Sequence, residues 1–256
     1  MESVKKPKFS LTNNQLKIIA MVSMFCDHLG LLFFPDVMLF RALGRIAFPI
    51  FAYMIAEGCR YTKNRAKYLD MIAAMAVAFQ VVYFVAMQSL YQGILVTFSL
   101  AIITIYSIEA LCVTFQKLWQ PLAALGALAF VAVFVFVLPN VLTGTDFDID
   151  YGIWGILIPV VAYFLPIRKW RISSLLTPRQ WRMTGVSVLL LIRAIYYGVF
   201  ADPISPMQWF SLLTIPLLFL YNGERGKAKM KYVFYIFYPA HLVLLYGIAM
   251  LIMMLK

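Results

Sequence analysis

The chain has 256 residues, of which 63% are hydrophobic and only 13% are charged, with 22 Lys+Arg against 11 Asp+Glu and a net charge of +11. Soluble domains take about 25% of their residues from the charged set. This composition therefore excludes a soluble enzyme, an ordinary secreted domain and a nucleic-acid-binding module, whose basic charge sits on a soluble fold; what it fits is an all-α, polytopic membrane helix bundle.

Residues 1–15 read as a basic cytoplasmic tail with Lys5, Lys6 and Lys8, and residues 16–256 as a single transmembrane domain. A crossing helix needs about 20 mostly apolar residues. Nine runs meet or approach that length: Leu16–Phe34, Leu43–Cys59, Tyr68–Met87, Gly93–Phe115, Leu118–Leu138, Tyr151–Leu165, Met183–Phe200, Met207–Tyr221 and Tyr232–Met254. The first contains Asp27 and His28, and no small-residue cleavage site follows it, so it reads as a retained helix and not a signal peptide. The second, sixth and eighth runs are short and contain Pro49, Pro159 and Pro216, so tilted, kinked or partly re-entrant segments are expected there. Cys26, Cys59 and Cys112 form no C-x-x-C spacing; they read as small buried hydrophobes, with no metal site indicated.

Loop charge sets the expected orientation, because cytoplasmic loops carry the Lys/Arg excess. With the N-terminus inside, most basic residues fall on inner loops, among them Arg60, Lys63, Arg65, Lys67, Arg168, Lys169, Arg171, Arg179, Arg182, Arg225, Lys227, Lys229 and Lys231. The outer loops hold Asp36, Asp146, Asp148, Asp150 and Asp202. Nine crossings leave the C-terminus, Lys256, outside.

A few ionisable groups lie inside the runs, where they are costly and usually face a protein interior or a wet cavity. At 1.5 Å per residue from the inner ends, His28 lies ~18 Å deep, Arg193 ~15 Å and His241 ~14 Å. Asp27, His28, Arg193 and His241 thus fall near one level, although the chain scatters them widely. One reading is a polar site at mid-membrane, in which a histidine serves as general base and a carboxylate orients it. The other is a structural Asp27–Arg193 ion pair, with both histidines bonded to helix carbonyls. Arg41 and Arg45, one turn apart near the outer surface, suit an anionic group or outer headgroups. Glu57 and Glu109 suit pairing with inner-loop cations, and Lys17 suits snorkelling or a phosphate. Phosphate-loop, H-E-x-x-H and G-x-S-x-G signatures are absent.

Four stretches taken together carry a resemblance: LKIIAMVSMFCDHLG at Leu16–Gly30, GRIAFPIFAYMIAEG ending at Gly58, DYGIWG at Asp150–Gly155, and LYNGERG followed by KYVFYIFYPAHL ending at Leu242. In this order and over nearly the whole chain, they resemble the TraX family of bacterial membrane proteins. The resemblance implies a membrane-embedded acyltransferase of the bacterial cytoplasmic membrane, related to the broad group that acylates sugars and glycans, with acetyl-CoA as donor. Its acceptor would be a protein N-terminus, as for the family's pilin acetyltransferase, or a glycan hydroxyl. Membrane lipid is its other partner, and nucleic acid is not one. In the wider group a basic residue precedes the first-helix histidine by about eleven positions, as Lys17 precedes His28 here.

On that basis His28 is expected to act as general base or acyl carrier, steadied by Asp27, with His241 or Arg193 at the oxyanion. Lys17, Arg60, Arg65, Asn222 and Arg225 are expected on the cofactor side, and Arg41, Arg45, Glu57, Asp150 and Tyr151 on the acceptor side. Two other readings of the same residues are a proton-coupled transporter using Asp27, His28, Arg193 and His241 as a relay, and a non-enzymatic membrane scaffold.

Overall fold

The computed structural model describes residues 10–112, 117, 119–166, 176–201, 206–227 and 230–255. Lys5, Lys6, Lys8, Arg168, Lys169, Arg171, Asp202, Lys229 and Lys256, which the loop-charge reading uses, lie outside these residues. The described chain is helical, with two isolated β-bridges and no extended strand among the described residues. The helices are α1 (Asn13–Phe33), α2 (Met38–Gly44), α3 (Ala47–Tyr61), α4 (Arg65–Met87), α5 (Ile94–Leu111), α6 (Trp119–Ala132), α7 (Leu138–Val141), α8 (Gly152–Phe164), α9 (Pro178–Ile195), α10 (Thr214–Phe219) and α11 (Lys231–Met254). A π-helical turn, Val133–Val137, joins α6 to α7; a second, Tyr196–Ala201, ends α9; a 3-10 segment, Pro206–Leu213, leads into α10.

Among the described residues, seven helical segments are long and apolar enough to cross a membrane: Asn13–Phe33, Met38–Tyr61, Arg65–Met87, Ile94–Leu111, Trp119–Val141, Pro178–Ala201 and Ile236–Met254. Two shorter apolar helices, Gly152–Phe164 and Met207–Phe219, stand where the short sixth and eighth runs were expected. Large apolar side chains cover the outside. On α4, Val77, Val81 and Val85 recur every four residues at 64%, 57% and 68% exposure. A soluble protein does not present such a stripe to water; this is a lipid-facing surface, and the protein is a polytopic membrane helix bundle.

Two of the prolines sit in the first turn of a helix, while Pro159 and Pro239 lie inside α8 and α11. Pro49 is the third residue of α3 and Pro216 the third of α10, where a missing N–H falls among the first-turn donors that have no intrahelical partner. The second run is accordingly two helices, α2 and α3, broken at 45–46. Two long helices carry capping boxes, Thr12 with Gln15 on α1 and Thr177 with Gln180 on α9, where Pro178 takes the first helical position; Asn64 caps α4 by accepting from the Lys67 N–H.

The chain divides into two compact units, residues 55–165 and residues 1–54 with 166–256. In the unit of residues 55–165, α5 and α8 run in parallel. At one end, Gln92 and the 148–150 segment exchange backbone bonds of 2.7 and 2.9 Å, and Thr97 Oγ1 donates to Asp150 O at 2.8 Å. At the other, Tyr163 Oη donates to Glu109 at 2.7 Å. Though only 13 residues long, α8 accompanies α5 from one end to the other. Leu100, Ala101, Val131, Ile149 and Ile156 fill the space between α5, α6 and α8.

The ends of this unit differ in charge: Arg60, Lys63, Arg65 and Lys67 lie at one, and Asp146, Asp148 and Asp150 at the other. The Asp146 carboxylate accepts from the Leu90 N–H at 2.8 Å, and bonds from Ser89 and Leu90 hold it below the usual carboxylate range. A depressed carboxylate stabilises its loop above the unfolded pKa and ceases to as pH falls through the folded one. Amide exchange at Leu90 is therefore expected to accelerate, beyond its intrinsic pH dependence, only below about pH 4, and to be fast at all pH values in Asp146→Ala.

In the other unit, α1 and α11 also run in parallel, since Lys17 lies over Phe234 and His28 lies on His241. Backbone bonds tie the start of α1 to the segment before α11: Leu11 N–H to Leu220 O at 2.8 Å, and Asn13 N–H to Glu224 O at 2.8 Å. Gly226, at φ +89, lies against Thr12 and Asn14, so this turn needs glycine both for its backbone angle and for space. The 3-10 segment and α10 together run from Trp209, packed on Gly198, to Tyr221 beside Leu11. With a 3-10 rise of about 2.0 Å per residue, the 8 residues of Pro206–Leu213 and the 6 of α10 span roughly 25 Å.

Candidate functional site

The site is built where α1 meets α2 and α11. Ser23 Oγ donates to Leu43 O at 2.6 Å and to Gly44 O at 3.2 Å, drawing α2 onto α1. Two glycines permit the approach. A Cβ on Gly44 would fall on the Asp27 side chain, and a Cβ on Gly30 would fall on the Cβ of Phe40. Small residues at such crossings let helices pack closely where lipid supplies no hydrophobic drive between them.

This contact decides the partner of Asp27. Its Oδ1 forms an ion pair with Arg41 Nη1 at 3.0 Å and accepts from Arg45 Nη2 at 3.2 Å. The two arginines stand four residues apart, on one face of the helix that α1 touches. The Asp27–Arg193 pair of the structural reading is therefore not formed. Arg193 is buried on α9, with its guanidinium 5.5 Å over the Phe48 ring and 5.1 Å over Tyr197.

His28 and His241 are in ring contact, with centroids 5.1 Å apart and planes at 73°. Each ring is anchored alike. His28 Nδ1 lies 2.9 Å from Met24 O, and His241 Nδ1 lies 2.8 Å from Phe237 O, each one helical turn back. A carbonyl only accepts, so each Nδ1 carries a proton, and a ring in its neutral form then keeps its lone pair on Nε2. His241 is buried, stacked on Phe237 at 4.8 Å, and its Nε2 has no hydrogen-bond partner among the described residues.

Asp27 does not orient His28. Neighbouring residues on a helix point about 100° apart, and the carboxylate is turned to α2 while the imidazole is turned to α11. The helix also begins at Asn13 and not at Leu16, so His28 lies about 22 Å along a helix of about 32 Å. The level shared by the two histidines is accordingly about 6 Å past the middle of α1, toward its far end.

Toward the start of α1, Lys17 Nζ sits 5.1 Å over the Phe234 ring, with Arg225 within electrostatic range. Lys17, Met24 and His28 share a face, since eleven residues turn the helix by close to three whole turns. Asn222 is a turn former: its Oδ1 accepts from the Glu224 N–H at 2.8 Å and its Nδ2 donates to Ser10 Oγ at 3.3 Å.

Five expected site residues belong to the unit of residues 55–165. Arg60 Nη2 donates to Tyr163 O and, at 3.2 Å, to Ala162 O, capping the last turn of α8. Its Nε is 3.8 Å from the buried carboxylate of Glu57. Arg65 pairs with Glu109 at 2.7 Å. Glu57 thus meets a cation of its own helix, and Glu109, near the end of α5, meets the first residue of α4. Asp150 accepts from Tyr91 Oη at 3.1 Å; burial and the Asp150 charge raise the Tyr91 hydroxyl well above its usual range and keep it a donor. Tyr151 holds a left-handed φ of 60° at the turn into α8.

Arg41 and Arg45 as partners of Asp27 could have been read from their four-residue spacing. Gly30 and Gly44 as the cause of the close approach carry no sequence signal beyond their size. The fold and this inward-facing polar cluster define a membrane helix bundle with a histidine pair held between its first and last helices. The TraX protein family model matches residues 12–249, and the chain belongs to that family. It is also 27% identical over 250 residues to the probable fimbrial assembly protein FimC, serogroup H1, of Dichelobacter nodosus, covering 90% of this chain and 93% of that protein. No solved structure matches the chain.

Proposed function

We propose that this protein is an acyltransferase of the bacterial cytoplasmic membrane that moves an acetyl group from cytoplasmic acetyl-CoA to an amine or hydroxyl on the far side. The observation that carries the reading is the histidine pair. Two imidazoles in contact, each with its Nδ1 proton committed to a helix carbonyl, present Nε2 lone pairs inside a bundle where polar groups are costly without a use. The TraX family match and the fimbrial assembly relative support it, and favour a pilus-type protein N-terminus over a glycan as acceptor. The basic end of residues 55–165 supports a cytoplasmic N-terminus by the positive-inside rule.

In this scheme His28 Nε2 takes a proton from the acceptor as its nitrogen or oxygen attacks the thioester carbonyl. The acceptor–acyl bond forms, the carbon–sulfur bond breaks, and the proton passes from Nε2 to the departing CoA sulfur. His241, with a lone pair and no free N–H at Nε2, is suited to share that proton and not to donate to an oxyanion. Stabilising the oxyanion takes a hydrogen-bond donor, for which the buried guanidinium of Arg193 is the candidate. Acetyl-CoA supplies an activated acyl group and a polyanionic nucleotide. Lys17 and Arg225 suit the nucleotide best, because Arg60 and Arg65 are engaged by α8 carbonyls and Glu109.

The test is radiolabelled acetyl transfer from acetyl-CoA in envelopes of the source cell, comparing wild type, His28→Ala and a strain lacking the protein. The reading requires a labelled product in wild type alone. Equal labelling in all three, or none in wild type, would overturn it.

A further inference from the structure

Asp27, Arg41 and Arg45 form an unbalanced cluster. Two guanidinium groups share a single carboxylate, and both use the same oxygen, Oδ1. Ten N–H donors face an acceptor with about four lone-pair sites, and the cluster carries one net positive charge. The arginine side chains are only 28% and 13% exposed. Arg45 Nε is buried without a hydrogen-bond partner among the described residues. The Ser23 bonds to Leu43 O and Gly44 O, with the close approach at Gly30 and Gly44, hold α2 against α1 around the cluster. A charge left over at this depth calls for a counter-anion. Planar forks recognise carboxylate and phosphate through paired bonds. The next residue after Asp27 is His28.

We infer that the Asp27–Arg41–Arg45 cluster is a receptor for an anionic group, carboxylate or phosphate, carried by the acceptor near the amine or hydroxyl to be acylated. This rests on the acyltransferase reading for the acceptor's identity, while the anion site itself stands on geometry alone. Asp27 is then a positioning residue. It gathers the two arginines, offsets one of their charges, and leaves the other for substrate. A lipid headgroup offers the same chemistry, but a bound headgroup would occupy the cluster whatever the acceptor, whereas an acceptor anion makes the cluster a determinant of selectivity beside His28.

The first experiment is independent of catalysis. Thermal unfolding of the full-length protein in uncharged detergent is followed in inorganic phosphate or acetate against chloride at equal ionic strength. Wild type is expected to gain several degrees at millimolar phosphate. Arg45→Gln and Arg41→Gln are expected to lose the gain. Asp27→Asn, which frees donors and adds net charge, is expected to reach half-maximal gain at lower phosphate; a merely structural Asp27 would not shift that midpoint downward. Should the arginine variants fail to fold, the Asp27→Asn midpoint still decides. No anion-specific gain in wild type, an undiminished gain in folded arginine variants, or an Asp27→Asn midpoint that is unchanged or raised would overturn the site.

The second experiment uses protein in nanodiscs and matched peptides bearing a free N-terminal amine, with Glu or Gln as the following residue. Wild type is expected to prefer the Glu peptide at least tenfold in kcat/KM, and Arg45→Lys to retain part of that preference. Equal use of both peptides would overturn the acceptor assignment. Activity present only in phosphatidylglycerol discs and lost in phosphatidylcholine would instead assign the anion to lipid. Absence of transfer to either peptide and to native envelopes, with anion binding intact, would count against the acyltransferase reading and withdraw the acceptor from the inference, leaving the anion site.

Discussion

His28→Asn is expected to leave the protein folded while lowering acetyl transfer by about 10²–10⁴-fold, the usual contribution of a general base. The asparagine amide nitrogen stands where Nδ1 stands in histidine, so it can still donate to Met24 O, the bond that now anchors the ring at 2.9 Å. Nothing in asparagine replaces Nε2. The variant thus separates the two ring nitrogens, one structural and one chemical. The measurement is single-turnover transfer of radiolabelled acetyl, beside a melting curve in the same detergent. His241→Asn is expected to fall less, because His241 supports His28 and does not meet the acceptor in the proposed scheme. If His28→Asn keeps transfer within a few-fold of wild type, His28 is not the base. If it loses transfer and folding together, the experiment reports packing, and His28→Gln becomes the variant to examine.

Gly44→Leu is expected to destabilise the protein on the order of 3 kcal/mol, at the upper end of overpacking costs. A Cβ at this position meets the Asp27 Cβ and carboxylate, and the Cβ of Asp27 is fixed by α1 itself. The two helices must separate, and Ser23 then loses its bonds to Leu43 and Gly44 while Asp27 loses Arg41 and Arg45. The comparison is Gly126→Leu on α6, where a Cβ finds nothing within 4 Å. That change should cost nothing and add helix propensity. Equal melting temperatures for the two variants would show that α1 and α2 are not held at the distance described.

Much of the fold was legible in the sequence because the bilayer enforces it. Backbone groups have no water partners in hydrocarbon, so apolar runs of sufficient length must be helices. Nine runs were readable, and seven of the helical segments described, some of them made of two consecutive helices, are long enough to cross. The remaining two were marked by their short length and their prolines. Length alone could not show that α8 matches α5 from end to end, or that a 3-10 segment lengthens the path into α10. Those are tertiary contacts, made by Tyr163 with Glu109 and by Tyr221 with Leu11.

The site was legible by level but not by pairing. Counting residues from the helix starts brings Asp27, His28, Arg193 and His241 to similar depths, because helix rise is fixed. Depth says nothing about direction around the axis. Adjacent residues diverge by about 100°, which sends Asp27 to Arg41 and Arg45 and sends His28 to His241.

What the sequence determined by itself is the class of protein, the helices and the membership of both histidines in one layer. What the tertiary structure decided is who touches whom: a carboxylate shared by two arginines, an arginine laid on aromatic rings, and two imidazoles edge to face. The reason is physical. Apolar length and loop charge are local quantities that lipid and water read directly, whereas the rotation of a helix is set by side-chain packing against neighbours far away in the chain. Here that rotation depends on two glycines, Gly30 and Gly44, whose only signal in the sequence is that they are small.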